Sequence, residues 1–199
     1  MSLILRDDAL FCRSDGVPLT KAPLRALLVG LLAPLEGQEV IEVGTGSGGV
    51  TVTLAEAVGP GGKIWALEPS QKARETTENN LRRFGLTDRV NLFPEAAPEG
   101  LIPLPAVSRA FVGGHGPHLE AILVSLWDKM LQGGRLVLSA VLPETALAAL
   151  TILEKLGAAG AWNIFPAQGR KLGPSWMFEG GNPAYLIWCD KDIKKEERS

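Results

Sequence analysis

The sequence has few cysteines, little excess charge of either sign and no long apolar run. Only two cysteines, Cys12 and Cys189, occur among 199 residues, and they lack the spacing of metal ligands. Two isolated cysteines argue against a disulfide scaffold and fit a reducing compartment. A formal net charge of −2 gives no field that would favour nucleic acid or acidic membrane surfaces. We therefore expect no metal site, no nucleic-acid partner and no membrane partner.

Targeting and membrane signals are also missing. No apolar run approaches the roughly 20 residues needed to span a bilayer. Charged residues interrupt residues 1–13, which excludes a signal peptide, so a cytoplasmic location is expected. A chain of 199 residues suits one domain with a substantial core. We predict a single domain over residues 1–199, with a helical extension over 1–35 and a charged tail over 190–199.

Segments of strand length alternate with segments of helical pattern along the chain. The alternation indicates a parallel sheet with helices on both faces. The predicted strands cover residues 39–43, 63–68, 90–93, 109–112 and 135–140, followed by 161–168 and 184–189.

Three predicted helices have recognisable ends. Thr20 is the expected N-cap of a helix that reaches residue 32, because its hydroxyl can accept a hydrogen bond from the first turn. Ser70 and Gly85 are the expected residues at the two ends of a second helix. Pro143 is expected to begin a third helix, which Gly157 follows.

A glycine-rich turn follows the first predicted strand. The segment from Glu42 to Gly48 reads E-x-G-x-G-x-G, and glycines let the backbone turn sharply and approach a ligand closely. The helix after Gly48 offers unpaired N–H groups and a positive dipole end. Dinucleotide folds use G-x-G-x-x-G instead, so the spacing favours S-adenosylmethionine (SAM), whose methionine carboxylate would lie near these amides.

Two acids complete this predicted cofactor site. Glu68 ends the next strand, 20 residues after Gly48, where a carboxylate can accept hydrogen bonds from both ribose hydroxyls. Glu42 is expected to orient the turn and the methionine amine. The alternative is a tight turn beside two unrelated acids. After the third strand, Ala96 stands where methyltransferases commonly have an acid that reads adenine, Ala97 is at the adenine-contacting position, and Glu95 is adjacent.

The last two predicted strands break the alternation, since no helix lies between them. Residues 169–183 connect them, are rich in glycine and proline, and are predicted to form a long functional loop. A final antiparallel pair on a five-stranded parallel core resembles the class I SAM-dependent methyltransferases. The predicted fold class is therefore α/β and Rossmann-like, with a seven-stranded, mostly parallel sheet, an antiparallel C-terminal hairpin and helices on both faces.

Motifs outside the glycine turn point to one family. They are the segment from Asp15 to Lys21 (D-G-V-P-L-T-K) with Arg25, the segments 112–114 and 134–140, the segment 169–172 (G-R-K-L), and Asn182 with Pro183. Together they resemble the precorrin methyltransferases of cobalamin biosynthesis, which methylate carbon 15 and decarboxylate an acetate side chain. The resemblance covers about residues 8–188 and implies a precorrin-6B or cobalt-precorrin-6B substrate, SAM as cofactor, and a homo-oligomer, typically a tetramer.

The resemblance and the glycine turn together define the candidate site. The cofactor-binding candidates are Thr20, Glu42, Gly44, Thr45, Gly46, Ser47, Gly48, Glu68, Ala97 and Gly113. Arg170 and Lys171 are candidate clamps for substrate carboxylates, and Trp176 is a candidate cover for the macrocycle. His115, after a strand's carboxyl end, is the candidate catalytic residue. Each has a simpler alternative. Arg170 would be an exposed charge of the loop, Trp176 an aromatic side chain that packs the loop against the core, and His115 a residue that ends a strand.

Three other functions fit parts of the sequence. The segment 42–62 also resembles tRNA adenosine methyltransferases, although a polyanionic substrate would need a basic surface; protein carboxyl methylation is a weaker possibility on the same fold. Ala96 keeps open a module that binds SAM or a tetrapyrrole without catalysis, because a fold does not fix a function.

Overall fold

The computed structural model describes residues 4–191 as an α/β sandwich. The strands are β1 (Glu39–Val43), β2 (Lys63–Leu67), β3 (Val90–Phe93), β4 (Val107–Val112), β5 (Met130–Ala140), β6 (Ala158–Ile164), β7 (Ala167–Leu172), β8 (Ser175–Gly180) and β9 (Ala184–Asp190). The helices are α1 (Ala22–Leu32), α2 (Gly49–Val58), α3 (Gln71–Phe84), α4 (Leu119–Lys129) and α5 (Pro143–Leu153).

Seven strands form one sheet in the order β3-β2-β1-β4-β5-β9-β6. Strands β1 to β5 pair in parallel, whereas β9 runs antiparallel between β5 and β6. The predicted fold is confirmed. The strand order reverses at β1, between β2 and β4, and ligands of open α/β sheets bind at the carboxyl ends of the strands at such a point.

Each face of the sheet has its own apolar core, because successive strand residues point to opposite faces. Val40 of β1 packs with residues of α1, α2 and α3 on one face. Its neighbour Ile41 packs with residues of α4 and α5 on the other. Within residues 4–191, no helix is long and apolar enough to cross a membrane.

The predicted helix ends are correct at three positions and wrong at one. The Ser70 hydroxyl accepts a hydrogen bond from the Ala73 amide, and Gly85 ends α3 in the left-handed conformation; Pro143 begins α5. Thr20 is not the N-cap of α1, because the helix begins one residue later, after Lys21, which makes no side-chain cap.

Two arginines of the sheet attach α1 to the domain. The Arg109 Nε donates to the Leu32 carbonyl at 2.7 Å and the Arg135 Nη1 to the Leu31 carbonyl at 3.0 Å. A bidentate pair with Asp190 holds Arg135 in place at 2.6 and 2.7 Å and raises its pKa. The last carbonyls of α1 thus find donors in the sheet.

The predicted long loop over residues 169–183 is wrong. Strands β7 and β8 pair with each other in a separate two-stranded sheet inserted between β6 and β9. Gly173, with a φ of +60°, allows the tight turn that joins them. We call β7, β8 and this turn the hairpin. The glycines and prolines of this segment indicated a loop. In the structure they lie in the turn, within β7 and at the ends of the strands.

Candidate functional site

The glycine turn lies at the carboxyl end of β1, against the end of β4. Gly44 has a φ of +81°, and a Cβ built there would lie 2.6 Å from the Gly114 nitrogen. Backbone bonds close the contact, since the Gly113 amide donates to the Val43 carbonyl at 2.8 Å. A side chain at residue 44 would push the two strand ends apart.

Glu68 binds the glycine turn directly. Its Oε2 accepts hydrogen bonds from the amides of Thr45 and Gly46 at 3.0 and 3.1 Å, and its Oε1 accepts one from Ser70 at 3.0 Å. A carboxylate has about four acceptor positions, so roughly one remains for a ligand. The acid predicted to read a ribose therefore also holds the turn in shape.

Glu42 is buried without a hydrogen-bond partner. Its side chain is 0% exposed, and neither carboxylate oxygen has a partner in the described part of the chain. Burial raises the pKa of Glu42 to about 8, and the negative charge of Glu68 adds to this rise. The nearby Thr51 hydroxyl lowers the pKa in part, although it forms no hydrogen bond of normal geometry with the carboxylate. A buried acid of this kind is stabilised in its charged form by a cationic partner or by hydrogen-bond donors.

A segment before α1 crosses the glycine turn, and we call residues 6–21 the strap. The Pro18 carbonyl accepts from the Ser47 amide at 3.0 Å, and the Val17 carbonyl accepts from the Ser47 hydroxyl at 3.2 Å. A Cβ on Gly46 would lie 2.9 Å from the Pro18 oxygen. The second glycine of the motif is thus required by the strap as well as by the turn.

Two buried polar side chains anchor the strap. Asn80 of α3 accepts from the Cys12 amide at 2.7 Å and donates to the Cys12 carbonyl at 3.1 Å and the Ser47 carbonyl at 2.8 Å. Arg25 of α1 donates to Asp8 Oδ1 and to the Thr20 carbonyl, both at 2.6 Å. The strap is therefore tied to α3, to the glycine turn and to α1.

A first pocket of about 250 Å³ opens between the strap and the glycine turn. It is lined by six of the predicted cofactor residues: Thr20, Gly44, Thr45, Gly46, Glu68 and Gly113. Four others do not line it. Ser47 and Glu42 are buried in the protein, and Gly48 is the N-cap of α2. Ala97 packs in the apolar core on the face of the sheet that α4 and α5 cover.

A second pocket of about 510 Å³ adjoins the first. Pro18, Thr20, Gly113 and Gly114 line both pockets. His115 lines the second pocket, and its Nδ1 lies 2.6 Å from the Gly116 carbonyl oxygen. Because a carbonyl can only accept, Nδ1 carries the proton, which leaves Nε2 of the neutral ring as an acceptor.

The predicted substrate residues of the hairpin lie outside both pockets. Arg170 forms an ion pair with Glu179 at 2.6 Å, and the Lys171 ammonium lies 5.6 Å from the centre of the Trp176 ring. None of these side chains lines either pocket. The hairpin does not bring them to the glycine turn, so their contact with a substrate stays a prediction.

The residues that attach the strap to the site were not among those predicted from the sequence. Asn80 was not predicted, nor was Thr77, whose hydroxyl donates to the Gly46 carbonyl at 3.0 Å. Thr76, Thr77 and Asn80 form a buried polar stripe on α3. Such a stripe, on a helix that follows a glycine motif, is the signal that would have indicated contact with the turn.

Known proteins resemble this chain over most of its length. A family model described as a precorrin methyltransferase domain matches residues 10–185. A protein of Pyrobaculum calidifontis, described as a probable cobalt-precorrin-6B C(15)-methyltransferase (decarboxylating), is 36% identical over 90% of this chain and 92% of its own.

Two solved structures share both fold and sequence. The precorrin 8W decarboxylase of Methanobacterium thermoautotrophicum has a TM-score of 0.88 at 35% identity, covering 92% of this chain and 98% of its own. The precorrin-6y C5,15-methyltransferase of Geobacter metallireducens has a TM-score of 0.88 at 31% identity, covering 96% and 100%. With a family model over most of the chain and relatives above 30% identity, the chain belongs to the precorrin methyltransferase family.

Proposed function

We propose that this protein transfers a methyl group from SAM to carbon 15 of a precorrin-6B-type tetrapyrrole and removes carbon dioxide from an acetate side chain. The observation that carries the proposal is the wall of Pro18, Thr20, Gly113 and Gly114, which the two pockets share. A small pocket with mixed polar and apolar lining, beside a larger and more apolar one, suits a cofactor that must meet a macrocycle. The names of the relatives supply the substrate.

The first pocket fits SAM in three ways. Gly44 and Gly46 line it and place no side chain in it. Glu68 lines it with an acceptor for ribose hydroxyls. Glu42 does not line the pocket, but it is buried without a partner directly before the turn, where the positive charge of a bound ammonium group would lower the cost of its ionisation.

Bound SAM would supply an electrophilic methyl group on a sulfonium. Held in the first pocket by Glu68 and the glycine turn, it would give this methyl to carbon 15, whose own electron pair would form the new bond while the sulfur leaves with the pair of the old one. Loss of carbon dioxide breaks the acetate carbon–carboxylate bond, and its electron pair passes into the conjugated ring. The residues of the chain position the two reactants and exclude water, which are the main requirements of such a transfer. The shared wall aligns the ring carbon, and His115 offers its Nε2 to the substrate.

We also propose that the protein works as a single domain in a homo-oligomer assembled through the hairpin. Trp176 and Phe178 are 64% and 76% exposed there, and neighbouring exposed apolar side chains of this size mark interaction surfaces. A partner of the same sequence would bury them.

Labelled SAM tests the proposed reaction. Incubation with cobalt-precorrin-6B or precorrin-6B should give a methylated product and one carbon dioxide for each methyl transferred. Turnover on tRNA but not on a tetrapyrrole would overturn the proposal in favour of a tRNA methyltransferase. SAM binding without turnover on either would favour a module that binds without catalysis.

A substitution tests the cofactor pocket separately. Glu68→Ala should weaken SAM binding at least about 100-fold, because it removes the ribose acceptor and releases the amides of the turn. Glu75→Ala, which changes an exposed acid of α3, is the matched control. Calorimetry measures the affinity and circular dichroism shows whether the variant is folded; unchanged affinity would mean that SAM binds elsewhere.

A further inference from the structure

The second pocket has one strongly basic side chain among the residues that line it. Those residues include Lys21 but no arginine, aspartate or glutamate. The others are mostly apolar, such as Leu24, Val141 and Pro183, with a few uncharged polar groups. An apolar pocket with one cation at its edge suits a ligand that combines a flat apolar body with acidic arms.

Lys21 forms only a long ion pair with its neighbour Asp8. Its Nζ lies 3.9 Å from Asp8 Oδ2, beyond hydrogen-bond distance. The other oxygen, Asp8 Oδ1, already accepts from Arg25 at 2.6 Å and from the Ala22 amide at 3.0 Å. Asp8 is thus committed to the buried arginine, while the half-exposed Lys21 ammonium remains available to an anion.

The position of Lys21 also fits a ligand held against the cofactor. It follows Thr20, which lines both pockets, and it precedes the first residue of α1. The strap is fixed at this point because the Arg25 guanidinium binds the Thr20 carbonyl at 2.6 Å. An acidic arm bound at Lys21 would therefore fix the distance from the arm to the shared wall.

We propose that Lys21 binds a carboxylate arm of the tetrapyrrole and so sets the position of the macrocycle. This inference rests on the proposed function and names the residue that recognises the acidic part of the substrate. It assigns to the strap the role that the sequence pattern suggested for Arg170 and Lys171. A charge-assisted hydrogen bond at the mouth of a pocket contributes to substrate affinity more than to the chemical step.

The test compares three variants of the full-length protein with labelled SAM and cobalt-precorrin-6B or precorrin-6B. Lys21→Met should raise KM for the tetrapyrrole about tenfold, with kcat within about twofold and the affinity for SAM unchanged. Lys21→Arg should restore KM, because it keeps the cation. Lys155→Met removes an exposed lysine that follows α5 and lines neither pocket, so it should leave KM unchanged.

Salt adds a second measurement. The KM of the unaltered protein should rise with ionic strength, and that of Lys21→Met should rise less. An unchanged KM in Lys21→Met, or a KM raised as much in Lys155→Met, would overturn the role of Lys21 while leaving the proposed reaction intact. If the unaltered protein does not turn over either tetrapyrrole, the proposed function fails and this inference fails with it.

Discussion

The strap and the hairpin each take part in an ion pair of the same length, in very different surroundings. In the strap, Asp8 lies 2.6 Å from Arg25 of α1, which is 0% exposed. In the hairpin, Arg170 lies 2.6 Å from Glu179, and both side chains are more than half exposed. Both segments carry motifs typical of the family, but only the strap borders the pockets. Burial, rather than distance, separates a pair that builds a site from a pair on the surface.

The largest expected difference between the two regions is in stability. Arg25→Met should lower the free energy of unfolding by about 3 kcal/mol, because it leaves Asp8 and the Thr20 carbonyl without their buried donor. Arg170→Met, its matched control, should lower it by less than about 1 kcal/mol. Urea unfolding measures both. Equal losses would show that the strap is held no more firmly than the hairpin.

The buried acid Glu42, which directly precedes the glycine turn, should give the free energy of unfolding a dependence on pH. The pKa of Glu42 rises from 4.5 to about 8 on folding, so between these values the unfolded chain releases a proton that the folded chain keeps. Stability therefore falls as pH rises, by about 2 kcal/mol between about pH 6 and pH 7.5.

Glu42→Gln should remove this slope, since the amide cannot ionise. Glu179→Gln should retain it, because it leaves Glu42 in place. Unfolding measured across the pH range without SAM provides the test. A slope that persists in Glu42→Gln would assign it to another group.

Removal of the Asn80 side-chain amide should weaken the attachment of the strap without affecting the hairpin. Asn80→Ala should cost about 1.5 kcal/mol, because it leaves the Cys12 amide and the Ser47 carbonyl without their partner. SAM affinity should fall about tenfold, since the strap forms one wall of the first pocket. Asn79→Ala, at the exposed neighbouring position, is the control. Equal SAM affinity in the two variants would separate the strap from cofactor binding.

The smallest effect on folding is expected in the hairpin. Trp176→Ser should change the free energy of unfolding of the isolated chain by less than about 0.5 kcal/mol, because the ring is 64% exposed. It should instead shift the protein towards smaller assemblies in light scattering. Ile102→Ser, which removes an apolar side chain that is 75% exposed in another region, should leave the assembly unchanged. The same assembly in Trp176→Ser and the unaltered protein would remove the hairpin from the interface.

The parts that were predictable from the sequence are those with local signals. The strand before Gly44 and the caps at Ser70 and Gly85 depend on residues close in the chain, so the main sheet and the glycine turn were correctly predicted. Asn80 binds Cys12, which lies 68 residues away, and no local pattern indicates such a contact. The hairpin was missed because Gly173 and the residues around it have the composition of a loop.

The four residues common to both pockets would make ligands bound in the two pockets thermodynamically dependent on each other. Any displacement of Pro18 or Thr20 by one ligand alters the wall that the other ligand meets. If the first ligand raises the affinity for the second by some factor, the second raises the affinity for the first by the same factor. The strap, which Asn80 and Arg25 hold in place, would then be the segment through which a ligand in one pocket changes the affinity of the other pocket.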